Sequence, residues 1–131
     1  MATVLSPLAT AALVDEKIAA TTTTATVTAT IGGASATLTL TKSGGLVHAY
    51  ANWVATTAVT QAASVVLFNL PQGYRPGSTH TFLPAIVAPG SGANTSNNFL
   101  NATTTAIQTA YANFTIEANK RCIINTTWPV A

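Results

Sequence analysis

Between residues 24 and 41 the sequence alternates with a period of two. In Thr24-Ala25-Thr26-Val27-Thr28-Ala29-Thr30-Ile31 every second residue is apolar and the others are Thr. Past Gly32-Gly33 the alternation resumes as Ser35-Ala36-Thr37-Leu38-Thr39-Leu40-Thr41. Successive side chains of a strand point to opposite faces, so this pattern sorts into one apolar and one hydroxyl face. On a helix it would scatter around the axis. Two glycines between the runs supply a turn, and the segment predicts a β-hairpin with a buried face and a Thr-coated face. Thr suits the second face because its branched side chain favours strands and its hydroxyl tolerates water.

That face is almost free of charge, as is the chain as a whole. Charged residues make up 6% of the 131 residues and apolar ones 48%, with mean hydropathy +0.39. Strands that meet water usually carry Lys or Glu for solubility and to guard sheet edges. A chain that hides much of its surface in an oligomer or a particle does not need them. The net charge of +2 is too sparse for a nucleic-acid-binding patch, although the pI is about 9.0. The apolar runs are interrupted by Thr, Asn and Gly, which excludes a transmembrane helix.

Further strands follow. Lys42-Ser43-Gly44-Gly45 reads as a turn, and residues 46–56 as a long strand. Val47, Ala49, Ala51 and Trp53 fall on one face of it, with His48, Tyr50 and Asn52 on the other. Residues 62–70 read as a Val- and Leu-rich strand. Residues 79–87 read as a strand broken by Pro84, which points to an edge or a bulge. Residues 88–98 form a long polar loop, and residues 99–105 fit no class. Residues 107–118 and 121–128 read as a closing pair of strands joined at Asn119-Lys120. Seven or eight strands at this spacing predict an antiparallel β-sandwich or jelly-roll-like knob.

Before the hairpin the pattern differs. Ser6 and Pro7 suit the cap and first position of a helix, and residues 8–20 are Ala-rich without Gly or Pro. Leu8, Ala11, Asp15 and Ile18 share one stripe, which Ala12 and Val14 widen. The expected helix is about 14 residues long and marginal alone in water. It packs either on its own domain or on copies of itself and a larger assembly. The chain thus divides into a helical docking or trimerisation segment, residues 1–23, with Leu8, Ala11 and Ile18 as contacts, and a β-sandwich head, residues 24–131. Asp15, Glu16 and Lys17 interrupt the apolar start, and no basic segment precedes it, so no cleaved secretory signal is expected.

Little in the sequence suits catalysis. There is no phosphate-cradling glycine loop and no nucleophile elbow. His48 and His80 do not stand at a metal-ligand spacing, and the carboxylates are Asp15, Glu16 and Glu117 alone. We therefore expect neither an enzyme nor a cofactor or metal site. Cys122 has no partner for a disulfide, and alternation puts it on the face opposite Arg121, as a buried structural residue. Four glycosylation triplets begin at Asn94, Asn101, Asn113 and Asn125, as chance would give in so Thr-rich a chain.

Two groups could contact a ligand. His48, Tyr50 and Asn52 share a strand face; the rings suit the CH faces of a sugar, and the amide offers paired donors and an acceptor. The same face could instead pack on a neighbouring subunit or on the other sheet. Leu70-Pro71-Gln72-Gly73-Tyr74-Arg75-Pro76 is the most distinctive string. Pro71 fixes its backbone, Gly73 permits a positive φ, and Tyr74 and Arg75 are presented on a stiff loop. They are either ligand contacts or a packing anchor and a carbonyl cap.

That loop, followed by Phe82-Leu83-Pro84, preceded by Gly45-Leu46-Val47 with Trp53, and closed by Trp128-Pro129, resembles the C-terminal β-domains of bacteriophage tail-fibre, baseplate and head-fibre proteins. The resemblance covers residues 44–130 and departs at Asn119-Lys120, where that family often has a Gly-containing turn. It implies a trimeric β-sandwich knob displayed on a virion, of a kind that in several members binds host-surface saccharides. The expected protein is a bacteriophage virion-surface structural protein, a homotrimer in contact with other virion proteins and with the host surface, without nucleic-acid binding or membrane insertion. A capsid decoration protein that cements the shell and a free carbohydrate-binding module are the alternatives.

Overall fold

The computed structural model describes residues 22–87, 98–112 and 114–131. These form eleven strands: β1 (Thr23–Ile31), β2 (Ala34–Ser43), β3 (Leu46–Val54), β4 (Val59–Gln61), β5 (Val66–Asn69), β6 (His80–Phe82), β7 (Ala85–Val87), β8 (Leu100–Ala102), β9 (Ala106–Thr109), β10 (Phe114–Ile116) and β11 (Arg121–Pro129). They make a five-stranded sheet in the order β1-β2-β3-β11-β7, a four-stranded sheet in the order β5-β9-β8-β6, and a ribbon of β10 and β4. Every pairing is antiparallel.

The period-two segments become three long neighbours, β1, β2 and β3. Gly32 and Gly33 turn the chain at φ +64° and +72°, and Gly44 and Gly45 turn it again at +60° and +83°. Positive φ at both central residues suits the twist of a two-residue hairpin. Gly32 has a second constraint, since a Cβ there would lie 2.7 Å from the Ala55 Cβ and 2.9 Å from the Thr57 carbonyl oxygen.

The apolar face of the large sheet supplies Leu38, Leu40, Val47, Trp53, Ile124 and Trp128 to one core, all buried. The small sheet contributes Phe68, Leu100 and Ile107, and the ribbon Val59, Phe114 and Ile116. Trp53 and Phe68 meet edge-on across the layers, with centroids 5.9 Å apart. Each fully buried Leu, Ile or Phe contributes roughly 1.5–3 kcal/mol against conformational entropy. The mainly β, antiparallel architecture expected from the sequence is therefore present, in sandwich-like layers.

Several details differ from expectation. The described residues hold eleven strands rather than seven or eight, because short strands of three and four residues escape a reading based on periodicity. Residues 107–118 and 121–128 do not pair with each other. Instead β9 lies in the small sheet, β10 joins β4, and β11 runs along β3 from Arg121 opposite Val54 to Pro129 opposite Leu46. Residues 62–65 are a loop before β5, held by Thr109. Its buried Oγ1 donates to the Ala62 carbonyl at 2.6 Å and accepts the Val65 N–H at 2.9 Å. Pro84 does mark an edge: β6 ends the small sheet, β7 ends the large one, and Leu83-Pro84 carries the chain between them. The expected helix at residues 8–20 and nearly all of the polar loop at residues 88–98 lie outside the described residues. Asn98, at the loop's end, is buried and pairs with the Thr115 backbone in both directions at 2.9 Å.

Candidate binding face

Alternation along four strands of the large sheet sorts their side chains onto two surfaces. The outer face of the large sheet carries Thr24, Thr26, Thr28 and Thr30 from β1, and Ser35, Thr37, Thr39 and Thr41 from β2. From β3 come His48, Tyr50 and Asn52, and from β11 Arg121, Ile123, Asn125 and Thr127. Register fixes the rows, one running Thr26, Thr39, Tyr50, Asn125 and the next Thr24, Thr41, His48, Thr127.

This face has two halves of different chemistry. Over β1 and β2 it offers hydroxyls and no charge up to Thr41, with Thr28 and Thr37 oxygens 3.5 Å apart. Over β3 and β11 it offers a linked polar set. The Arg121 guanidinium donates to Asn52 Oδ1, and Asn52 Nδ2 donates to the Tyr50 hydroxyl at 3.2 Å. His48 Nε2 lies 2.7 Å from Asn125 Oδ1, and since that oxygen accepts, Nε2 carries the hydrogen. Tyr50 remains 40% exposed, and Leu46 and Val54 add exposed apolar surface at the two ends of β3. The one ion pair among the described residues is Lys120 with Glu117 at 3.1 Å, so Arg121 has no carboxylate partner there. A ring, two amides and a guanidinium on one exposed face are chemistry for hydroxyl-rich or anionic surfaces.

The structure thus places His48, Tyr50 and Asn52 together on an exposed face, as the alternation predicts. Arg121 and Asn125 join them and were missed. Their outward direction is legible from alternation with Cys122 and Ile124; their proximity is not, because the sequence suggests the wrong neighbour for the last strand.

Tyr74 and Arg75 do not join this group. Lys42 lies on the inner-face parity of β2, donates from Nζ to the Gly73 carbonyl at 2.9 Å, and sits 5.3 Å from the Tyr74 ring centroid. Half-buried Tyr74 packs on the core, and its carbonyl accepts the Trp128 indole N–H at 2.9 Å. Arg75 Nε donates to the Leu70 carbonyl at 2.8 Å, while the Arg75 carbonyl accepts the Ala131 N–H at 2.9 Å. Arg75 also lines an open groove of about 390 Å³ with Gln72, Pro76, Thr104 and Val130. Leu8, Ala11 and Ile18 lie outside the described residues.

The other candidates are held locally. His80 Nε2 lies 2.9 Å from Thr126 Oγ1, and its ring stacks on Phe82. Cys122 is buried, and desolvation pushes its thiol up to about 12, against a reactive role. A comparison with protein-family models and with curated proteins found no match.

Proposed function

We propose that this chain is a structural protein of a bacteriophage virion surface, a β-sandwich head that assembles as a homotrimer and presents its β3–β11 face toward the host. The observation that carries this reading is the charge-free hydroxyl surface of β1 and β2, which runs from Thr23 to Thr41 and includes a long sheet edge. Such a surface suits burial against sister copies or a viral shell better than free solution. The Leu70 to Pro76 loop, which fastens the small sheet's connection to the final strand, supports the resemblance to fibre-type head domains as a marker of the fold.

The second half of the face supports host contact. Tyr50, Asn52, Asn125, His48 and Arg121 form a shallow polar platform suited to weak binding of saccharides, and three copies in one trimer would raise avidity. A capsid-cementing role is the second reading. It is favoured by the hydroxyl half alone and requires no ligand on the platform.

Immunogold electron microscopy, with antibody to this chain on particles from the culture that produces it, tests the reading. Gold on the particle surface is expected, and its position separates fibre or tail from capsid. Protein found solely free of particles contradicts the proposal.

A further inference from the structure

We propose that β1 pairs edge to edge with β1 of a second copy of this chain, about a two-fold axis through Val27. This contact is not one of the threefold interfaces of the homotrimer proposed above; a two-fold pairing links two such trimers into a species of six chains, and it rests on observations of its own.

The first is that β1 stands apart from the other sheet edges among the described residues. β6 and β7 are three residues long and flank Leu83-Pro84, and β5 is bulged between Val66 and Phe68. These are the usual devices that stop a sheet from growing. β1 has none of them. It is nine residues long, contains no Lys, Pro or other charge, and keeps an unbroken register with β2 from Thr23 to Ile31.

The second is which backbone groups are free. Gly32-Gly33 makes a two-residue hairpin, so Ile31 and Ala34 form a hydrogen-bonded pair, and alternate pairs follow from it. Ala29, Val27 and Ala25 then bond to β2. Thr24, Thr26, Thr28 and Thr30 direct their N–H and C=O groups away from it, along the open edge. The next hairpin gives the same phase, since Ser43 and Leu46 flank Gly44-Gly45 and place the odd-numbered residues of β2 on β3.

The third is the sequence of that edge. Thr24-Ala25-Thr26-Val27-Thr28-Ala29-Thr30 reads the same in both directions about Val27. A two-fold pairing centred there sets Thr26 opposite Thr28 and Thr24 opposite Thr30, both as hydrogen-bonded pairs. Ala25 meets Ala29 and Val27 meets itself. About eight backbone hydrogen bonds form, two for each such pair. Hydroxyls stay on one face, apolar groups stay on the other, and no like charges meet. The half-buried Ala25, Val27 and Ala29 gain cover. The chain's own residues 1–21 match this edge less well, with Pro7, three consecutive charged residues at 15–17 and no period-two alternation.

Amide exchange read by NMR on the full chain, with mass from sedimentation equilibrium, tests the pairing. Expected are amides of Thr24, Thr26, Thr28 and Thr30 protected at least tenfold over an open strand, in a species of even multiple of 13.3 kDa. Thr28→Pro removes an outward N–H and no bond to β2, so it should halve that mass; Thr28→Val, which keeps the N–H, should leave it unchanged. Exchange on the native chain decides the matter even if the proline variant does not fold. Protection in a species of single-chain mass overturns the proposal and means residues 1–21 cover the edge. Unprotected amides in a trimer overturn this contact while leaving the virion reading intact, and a folded Thr28→Pro variant of unchanged mass overturns it too.

Discussion

The indole N–H of Trp128 donates to the carbonyl oxygen of Tyr74 at 2.9 Å, tying the last strand of the large sheet to the loop that joins β5 to β6 in the small one. The link is fully buried at Trp128 and is joined by Arg75, which fastens that loop to Leu70 and Ala131. Trp53, the other core indole, finds no hydrogen-bond partner among the described residues. Replacing each by Phe removes similar volume, but only Trp128→Phe strips a part-buried carbonyl of its donor. Trp128→Phe should therefore destabilise more than Trp53→Phe, by about 1–3 kcal/mol. Urea unfolding of the two variants gives the difference directly.

The two glycine turns should respond unequally to substitution. Gly32→Ala and Gly44→Ala both force a left-handed residue, at about 1–2 kcal/mol each. Gly32→Ala adds a clash with Ala55 and Thr57, whereas nothing lies within 4 Å at Gly44. Thermal unfolding should show Gly32→Ala as clearly the less stable variant.

Thr109 is buried, and its hydroxyl both donates to Ala62 and accepts from Val65. Thr109→Val keeps the shape and removes both bonds. The expected loss is about 2–4 kcal/mol, since two backbone groups lose a partner. Denaturant titration measures the loss, and faster exchange at the Val65 amide locates it.

Cys122 predicts an alkaline limit. Its folded thiol is pushed up to about 12 by burial, whereas unfolded it ionises near 9.0. Because the folded value is the raised one, stability is complete below pH 9 and falls as pH climbs from 9 toward 12, by up to about 4 kcal/mol. Cys122→Ala should lose that part of the alkaline decline, read from unfolding midpoints at pH 8 and 10.5. In the native protein at pH 8, a thiol reagent should label Cys122 no faster than the chain unfolds.

The platform makes a separate prediction. Tyr50→Ala and Arg121→Ala alter exposed side chains and should shift stability by less than about 1 kcal/mol. Both should weaken retention on a saccharide array that holds the native protein, the Arg121 variant most on acidic glycans. Unchanged retention would remove the platform from the binding account.

Much of this was legible in the sequence because one physical rule governs it. Alternation set which residues of β1, β2 and β3 face inward, and the glycine pairs set the turns. The same rule placed Cys122 inside and His48, Tyr50 and Asn52 outside. It could not place residues 99–118, whose strands are three or four residues long and are held by single side chains such as Thr109 and Asn98. Pairing partners were also hidden. Alternation is blind to which strand lies alongside, so Arg121 and Asn125 could be seen to point outward but not to lie beside Asn52 and His48. Tyr74 and Arg75 look like presented side chains on a stiff loop, and it is Leu70 at the start of that loop, with Trp128 and Ala131 brought back by the fold, that occupy their backbone and side-chain groups.

The account depends on the hydroxyl half of the large sheet being covered by other copies. Multi-angle light scattering of the full chain at micromolar concentration tests this most directly. A particle mass of three times the 13.3 kDa chain, or of six times where the β1 pairing also forms, is expected. A monodisperse 13.3 kDa monomer, stable and unaggregated across that range, would contradict it.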